Sequence, residues 1–202
     1  MAIIKSKKKE LVEYLIKLLN GDISPNDLMD YFEKNPKSLI CFNKYARKKL
    51  YSTFDDVNEI KSKLFKKNIR VYVYQLVQGF LYTNKIHYTV GAEEYVLYNQ
   101  MCNQCPEWFQ NDFDLLDSLF ANLEELIKNN ELSEKIISIC KTTNGIYPEW
   151  LQHAEWPVIN GVVYTFDSQT VLPDDMDYDV DSITYSFINP VTNEKIDVVQ
   201  YY

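Results

Sequence analysis

The sequence predicts an α+β fold: a mostly helical first part, about residues 1–145, packed against a small antiparallel β-sheet at about residues 158–202. Three features carry this reading. Apolar residues recur at helical spacing through the first part. After Gly145 the texture changes to short β-branched and aromatic runs, "VVYTF", "ITYSFI" and "KIDVVQYY". A length of 202 residues with 46% hydrophobic content also suffices for a core without disulfide staples. The expected organisation is a helical domain over 1–145 and a Trp-rich loop with an acidic β module over 146–202, packed as one unit.

The elements follow in order. "MAIIKSKKKELVEYLIKLL" is basic and then apolar, but Glu13 and Lys17 interrupt it and no small-residue cleavage site follows. It reads as an amphipathic helix with Leu11, Leu15, Leu18 and Leu19 on one side, stopped by Gly21. Ser24 is an N-cap with Pro25 in the first turn, and that helix closes at Asn35-Pro36. Ser38 is expected to cap a helix carrying Leu39, Phe42, Ala46 and Leu50. Thr53, followed by Asp55 and Asp56, is expected to start another with Val57, Ile60 and Leu64 inward. "NIRVYVYQLVQGFLYTNK" opens like a strand, yet Val73, Val77, Phe80 and Leu81 keep a helical period, which favours helix.

The tripeptide Pro-Glu-Trp occurs twice, at 106–108 and at 148–150. The first is expected in the opening turn of a long helix, where proline lacks no needed donor and an acid meets the positive dipole end. That helix would place Trp108, Phe109, Leu115, Leu116, Leu119, Phe120, Leu123, Leu126 and Ile127 on one broad face, making Trp108 structural. A short helix from Ser133 to Lys141 ends at Asn144-Gly145. The second copy opens a loop into the sheet, in which "NPVTNE" is a turn between the last two strands.

Charge is unevenly distributed. Net charge is −8, but residues 1–90 carry 17 Lys and Arg against 9 acids, whereas 91–202 carry 4 against 20. From residue 146 onward, Lys195 is the single basic residue. An acidic surface of this kind either is merely solvated or steers a basic partner. The basic residues of the first part lie on polar helix faces, so direct nucleic-acid binding is not expected. No run of eighteen apolar residues exists, so no membrane span is expected, and four scattered cysteines suit a reducing cytoplasm.

The chemistry of sites is mostly excluded. Five unclustered glycines provide no phosphate loop, dinucleotide fingerprint or nucleophile elbow. Cys102 and Cys105 have a metal-like spacing near a helix end, but Cys41, Cys140, His87 and His153 do not complete a zinc knuckle. No metal, no cofactor and no enzymatic activity are therefore expected. In "PDDMDYDVDS", Asp175, Asp177, Asp179 and Asp181 alternate as in the opening of a calcium loop. Val180 occupies the sharp-turn position, however, and Ser186 the bidentate one. Together with Asp174, this acidic row is suited to meeting Lys and Arg on a partner. Trp150 and Trp156 either fill a core or anchor a partner, and Gln169 is expected to satisfy loop backbone.

The order Glu155-Trp156-Pro157, Gly161, Phe166, Gln169 resembles the pattern of YwqG-like bacterial proteins and of immunity proteins of polymorphic toxin systems. The resemblance covers residues 147–202. It implies a cytoplasmic protein that binds and blocks a cognate toxin. Taken with the acidic second half, the expected partner is a basic protein, with Trp150, Trp156, Asp174, Asp175, Asp177, Asp179 and Asp181 as contact residues. The alternatives are an acidic nucleic-acid mimic or phage-type adaptor acting on a DNA-binding protein, and a small-molecule enzyme.

Overall fold

The four leucines expected inward on the first helix, Leu11, Leu15, Leu18 and Leu19, are fully buried on α1 (Ala2–Asn20). The computed structural model describes residues 2–49, 53–172 and 182–201. Gly21, at φ +86°, ends α1 in a Schellman motif: its N–H reaches Leu18 O (3.0 Å), and Asp22 N–H reaches Lys17 O (2.9 Å). The chain returns here, since Gly91 and Ala92 both donate to Leu19 O. A Cβ at Gly91 would lie 2.8 Å from the Asn20 carbonyl oxygen, so only glycine fits without a shift.

α2 (Pro25–Lys34) starts with a full capping box, Ser24 Oγ accepting from Asp27 N–H and Asp27 Oδ2 accepting from Ser24 N–H. α3 (Pro36–Lys49) corrects the expectation for Ser38. Pro36 opens the helix two residues earlier, and Ser38 is buried inside it with its hydroxyl 3.1 Å from that of Tyr31. Phe42 and Ala46 are buried as expected, and Leu50 lies outside the described residues. α4 (Val57–Lys63) is capped by Asp56 instead of Thr53, because the Asp56 carboxylate accepts from Glu59 N–H at 2.9 Å. The ambiguous segment is helical, α5 (Lys67–Thr83), with Val73, Val77, Phe80 and Leu81 buried.

α6 (Glu93–Gln104) carries the chain out of the first of two compact units, Met1–Asn99, and into the second, Gln100–Tyr202. In the first unit, α1 packs on α5, α2 and α3 around Phe32, Phe42, Phe54 and Phe80. Phe54 lies outside the helices, and the Asn43 carboxamide pairs with both its N–H (3.0 Å) and its C=O (2.9 Å). The change from helix to strand falls near Gly145 as read from sequence. The division into compact units falls earlier, inside α6.

The second unit corrects the first Pro-Glu-Trp. Residues 106–110 form a turn, not a helix start, and the expected long helix is two short ones, α7 (Phe113–Leu119) and α8 (Leu123–Lys128). Two causes are visible, one local and one distant. Asp112 caps α7 by accepting from Leu115 N–H at 2.8 Å, and Trp108 spends its carbonyl on a distant indole instead of a helical bond. α9 (Leu132–Ile139) follows Asn130, which has φ +61° and closes α8 as glycine would. β1 (Val158–Ile159) and β2 (Val162–Val163) form a hairpin around Asn160-Gly161, both at positive φ, an element not anticipated above. β3 (Thr165–Leu172), β4 (Ser182–Ile188) and β5 (Lys195–Tyr201) make the expected antiparallel meander, in the order β3-β4-β5. Asn189 shapes the turn from β4 to β5, its side chain accepting from Val191 and Thr192 N–H.

Register places Phe166, Gln169 and Val171 of β3 across from Phe187, Tyr185 and Ile183 of β4. Those β4 residues face Ile196, Val198 and Gln200 of β5. These nine residues share one face, and Phe166, Tyr185, Phe187 and Gln200 are buried on it. The opposite face carries hydroxyls, Ser168, Thr170, Thr184 and Ser186, with Ser186 bonded to Asp197.

Candidate functional site

The loop opened by the second Pro-Glu-Trp lies over the apolar face of the meander. Its aromatic rings meet the sheet directly: Trp150 stacks on Phe187 and leans on Tyr185, while Trp156 contacts Phe166 and Phe187. Trp156 is 1% exposed, and its indole N–H donates to Tyr164 O at 2.8 Å. It belongs to the core, which corrects its expected place among the contact residues. A ring buried on every side has no surface for a partner.

Three side chains of the sheet hold the loop's backbone. Gln169 accepts from Glu149 N–H (2.9 Å), the structural role expected for it. Tyr185 donates its hydroxyl to Glu149 O (2.9 Å) and accepts from Leu151 N–H (2.7 Å). Gln200 accepts from Gln152 N–H (3.0 Å) and donates to His153 O (2.8 Å). Five backbone groups in five consecutive residues are thus satisfied by side chains, which lets an irregular segment sit on a sheet without orphaned polar atoms. Gln110 does the same at the loop's end, donating to Trp156 O and accepting from Trp156 N–H, both at 2.9 Å.

The two Pro-Glu-Trp segments come together here. Trp150 donates its indole N–H to Trp108 O at 2.9 Å, and Trp108 stacks on Tyr147 with centroids 4.1 Å apart. Between them lies an open groove of about 440 Å³, lined by Glu107, Trp108, Tyr147, Glu149, Trp150 and His153 among others. Its rings are half-buried, and its two glutamates are exposed. No lysine or arginine is among the described residues that line it. His153 Nε2 lies 2.8 Å from Glu155 Oε1.

The charge asymmetry follows the compact units. Residues 1–99 carry 17 Lys and Arg against 11 acids, a net +6, whereas 100–202 carry 4 against 18, a net −14. Lys195, the one base after residue 146, is 3.2 Å from Asp167. Asp174, Asp175, Asp177, Asp179 and Asp181 lie outside the described residues.

Burial pushes the Cys105 thiol up to about 12, with Cys102 adding to the effect, and burial raises Cys140 as well. Such thiols stay protonated at neutral pH and make poor nucleophiles. Among the described residues, no group of three or more His, Cys, Asp or Glu is arranged to hold a metal ion. No helix among them is long and apolar enough to cross a membrane. Comparison with protein-family models, curated proteins and solved structures gave no match.

Sequence reasoning reached Trp108, Trp150 and Gln169 but missed Tyr147, Tyr185, Gln110 and Gln200. The glutamines that clamp Trp156, Gln152 and His153 lie 46 to 48 residues from their partners. No local pattern encodes such a pairing.

Proposed function

We propose that this chain is a cytoplasmic binding protein that neutralises a basic protein partner, acting as an inhibitor or immunity protein. One observation carries the reading: the net −14 concentrated in residues 100–202 against +6 in 1–99. A field of one sign attracts a partner of the opposite sign and accelerates its encounter. The pinned loop adds support, because half-buried tryptophan and tyrosine on a rigid frame are favoured anchors. The resemblance of residues 147–202 to immunity proteins of toxin systems points the same way.

The test begins with a partner captured from host lysate. Its association rate should fall steeply with salt, since charges more than about 8–10 Å apart are screened at physiological ionic strength. Replacing Asp175, Asp177, Asp179 and Asp181 with asparagine should slow association while shifting stability within about 0.5 kcal/mol. An unchanged rate and salt dependence would reject the acidic surface as the contact. Competition by duplex DNA for the same partner would favour the nucleic-acid mimic instead.

A further inference from the structure

We propose that the groove between the two Pro-Glu-Trp segments seats an arginine side chain of that basic partner. This rests on the reading above and names the contact chemistry within it. The groove joins two kinds of surface: the half-buried rings of Trp108, Tyr147 and Trp150, and the exposed acids Glu107 and Glu149. An ammonium is a compact, strongly hydrated charge. A guanidinium is planar, weakly hydrated and forked, so it stacks on an aromatic ring while donating to a carboxylate. A volume of about 440 Å³ in an open groove admits such a side chain with its flanking backbone.

Rigidity strengthens the assignment. Glu149 is held at its N–H by Gln169 and at its C=O by Tyr185, and the Trp150 ring is fixed through Trp108 O. Sites fixed before binding lose little entropy when occupied. His153, the one histidine at the groove, lies 2.8 Å from Glu155, and the acids that line the groove are Glu107 and Glu149. The local charge therefore complements a cation.

The probe is a blocked peptide of alternating glycine and arginine, compared with its lysine and citrulline counterparts on the full chain at low salt. The three indole N–H signals in a ¹H–¹⁵N spectrum provide the readout, because Trp108 and Trp150 line the groove and Trp156 is core. The arginine peptide should shift the Trp108 and Trp150 signals saturably and leave Trp156 in place. Citrulline should not bind, and lysine should bind more weakly. E107Q/E149Q should weaken arginine-peptide binding about tenfold or more, as expected on losing charge-assisted hydrogen bonds. Its unchanged Trp156 signal would show that the fold is intact. Equal binding of the lysine and arginine peptides, or insensitivity to E107Q/E149Q, overturns the groove assignment. If binding is then lost in D175N/D177N/D179N/D181N, the acidic-surface reading survives without the groove. If no cationic peptide binds at low salt, both fail.

Discussion

At the scale of single residues, carboxamides do much of the work of holding irregular backbone. Asn43 closes both backbone groups of Phe54, Gln110 closes both of Trp156, and Gln200 bridges two loop residues. Each needs one donor and one acceptor on the same planar group, which the uncharged carboxamide of asparagine or glutamine supplies. Gln110→Glu keeps length and acceptor but loses the donor, leaving Trp156 O beside a carboxylate. It should cost about 1–3 kcal/mol, measured by urea unfolding. Trp156→Ala should cost about 3–5 kcal/mol, since the ring is buried among Trp108, Phe166 and Phe187. A loss under about 1 kcal/mol would place Trp156 outside the core.

At the scale of elements, helix ends were the most legible features and also the easiest to misplace by a few residues. The box at Ser24 stood complete in the sequence, with proline next and an acid three residues on. Ser38 and Thr53 looked equally suitable, but Pro36 and Asp56 took those starts because each offers a stronger local constraint. Ser24→Ala should cost about 1 kcal/mol. The pair also has a pH signature. The Ser24 hydroxyl and backbone hold the Asp27 carboxyl below its ordinary value of 3.8. A depressed carboxyl contributes stability that is fully present above the unfolded value and is lost as pH falls through the folded one. Thermal melts from pH 5 to pH 2 should therefore show a steeper acid decline in the native chain than in Ser24→Ala, about one cap's worth at most. Identical acid limbs would remove Asp27 from the account.

At the scale of the whole molecule, charge and tryptophan content divide with the compact units. All three tryptophans lie in 100–202, the unit with net −14. Tryptophan fluorescence therefore reports on that unit. Self-repulsion among eighteen acids and four bases opposes compaction there, and salt screens it. The midpoint of thermal unfolding followed by tryptophan fluorescence should rise by a few degrees, about 2–4 °C, as sodium chloride is raised from low to physiological levels. A midpoint that falls would mean that attractive pairs such as Lys195–Asp167 outweigh the repulsion.

What the sequence determined by itself was whatever depends on neighbours a few residues apart. The buried leucine stripe of α1, the capping box of α2, the helical identity of Lys67–Thr83 and the three-strand meander all follow from local spacing and capping. The Asn160-Gly161 hairpin was equally local and could have been read from "VINGVV". The tertiary structure decided the rest. Beside the local cap by Asp112, long-range partners explain why residues 106–110 turn instead of beginning a helix: Trp108 O accepts from Trp150 and Gln110 clamps Trp156, across 42 and 46 residues. The same contacts placed Trp156 in the core and left Trp150 at a groove. Backbone hydrogen bonds must be satisfied somewhere, and periodicity cannot say when a distant side chain will satisfy them first.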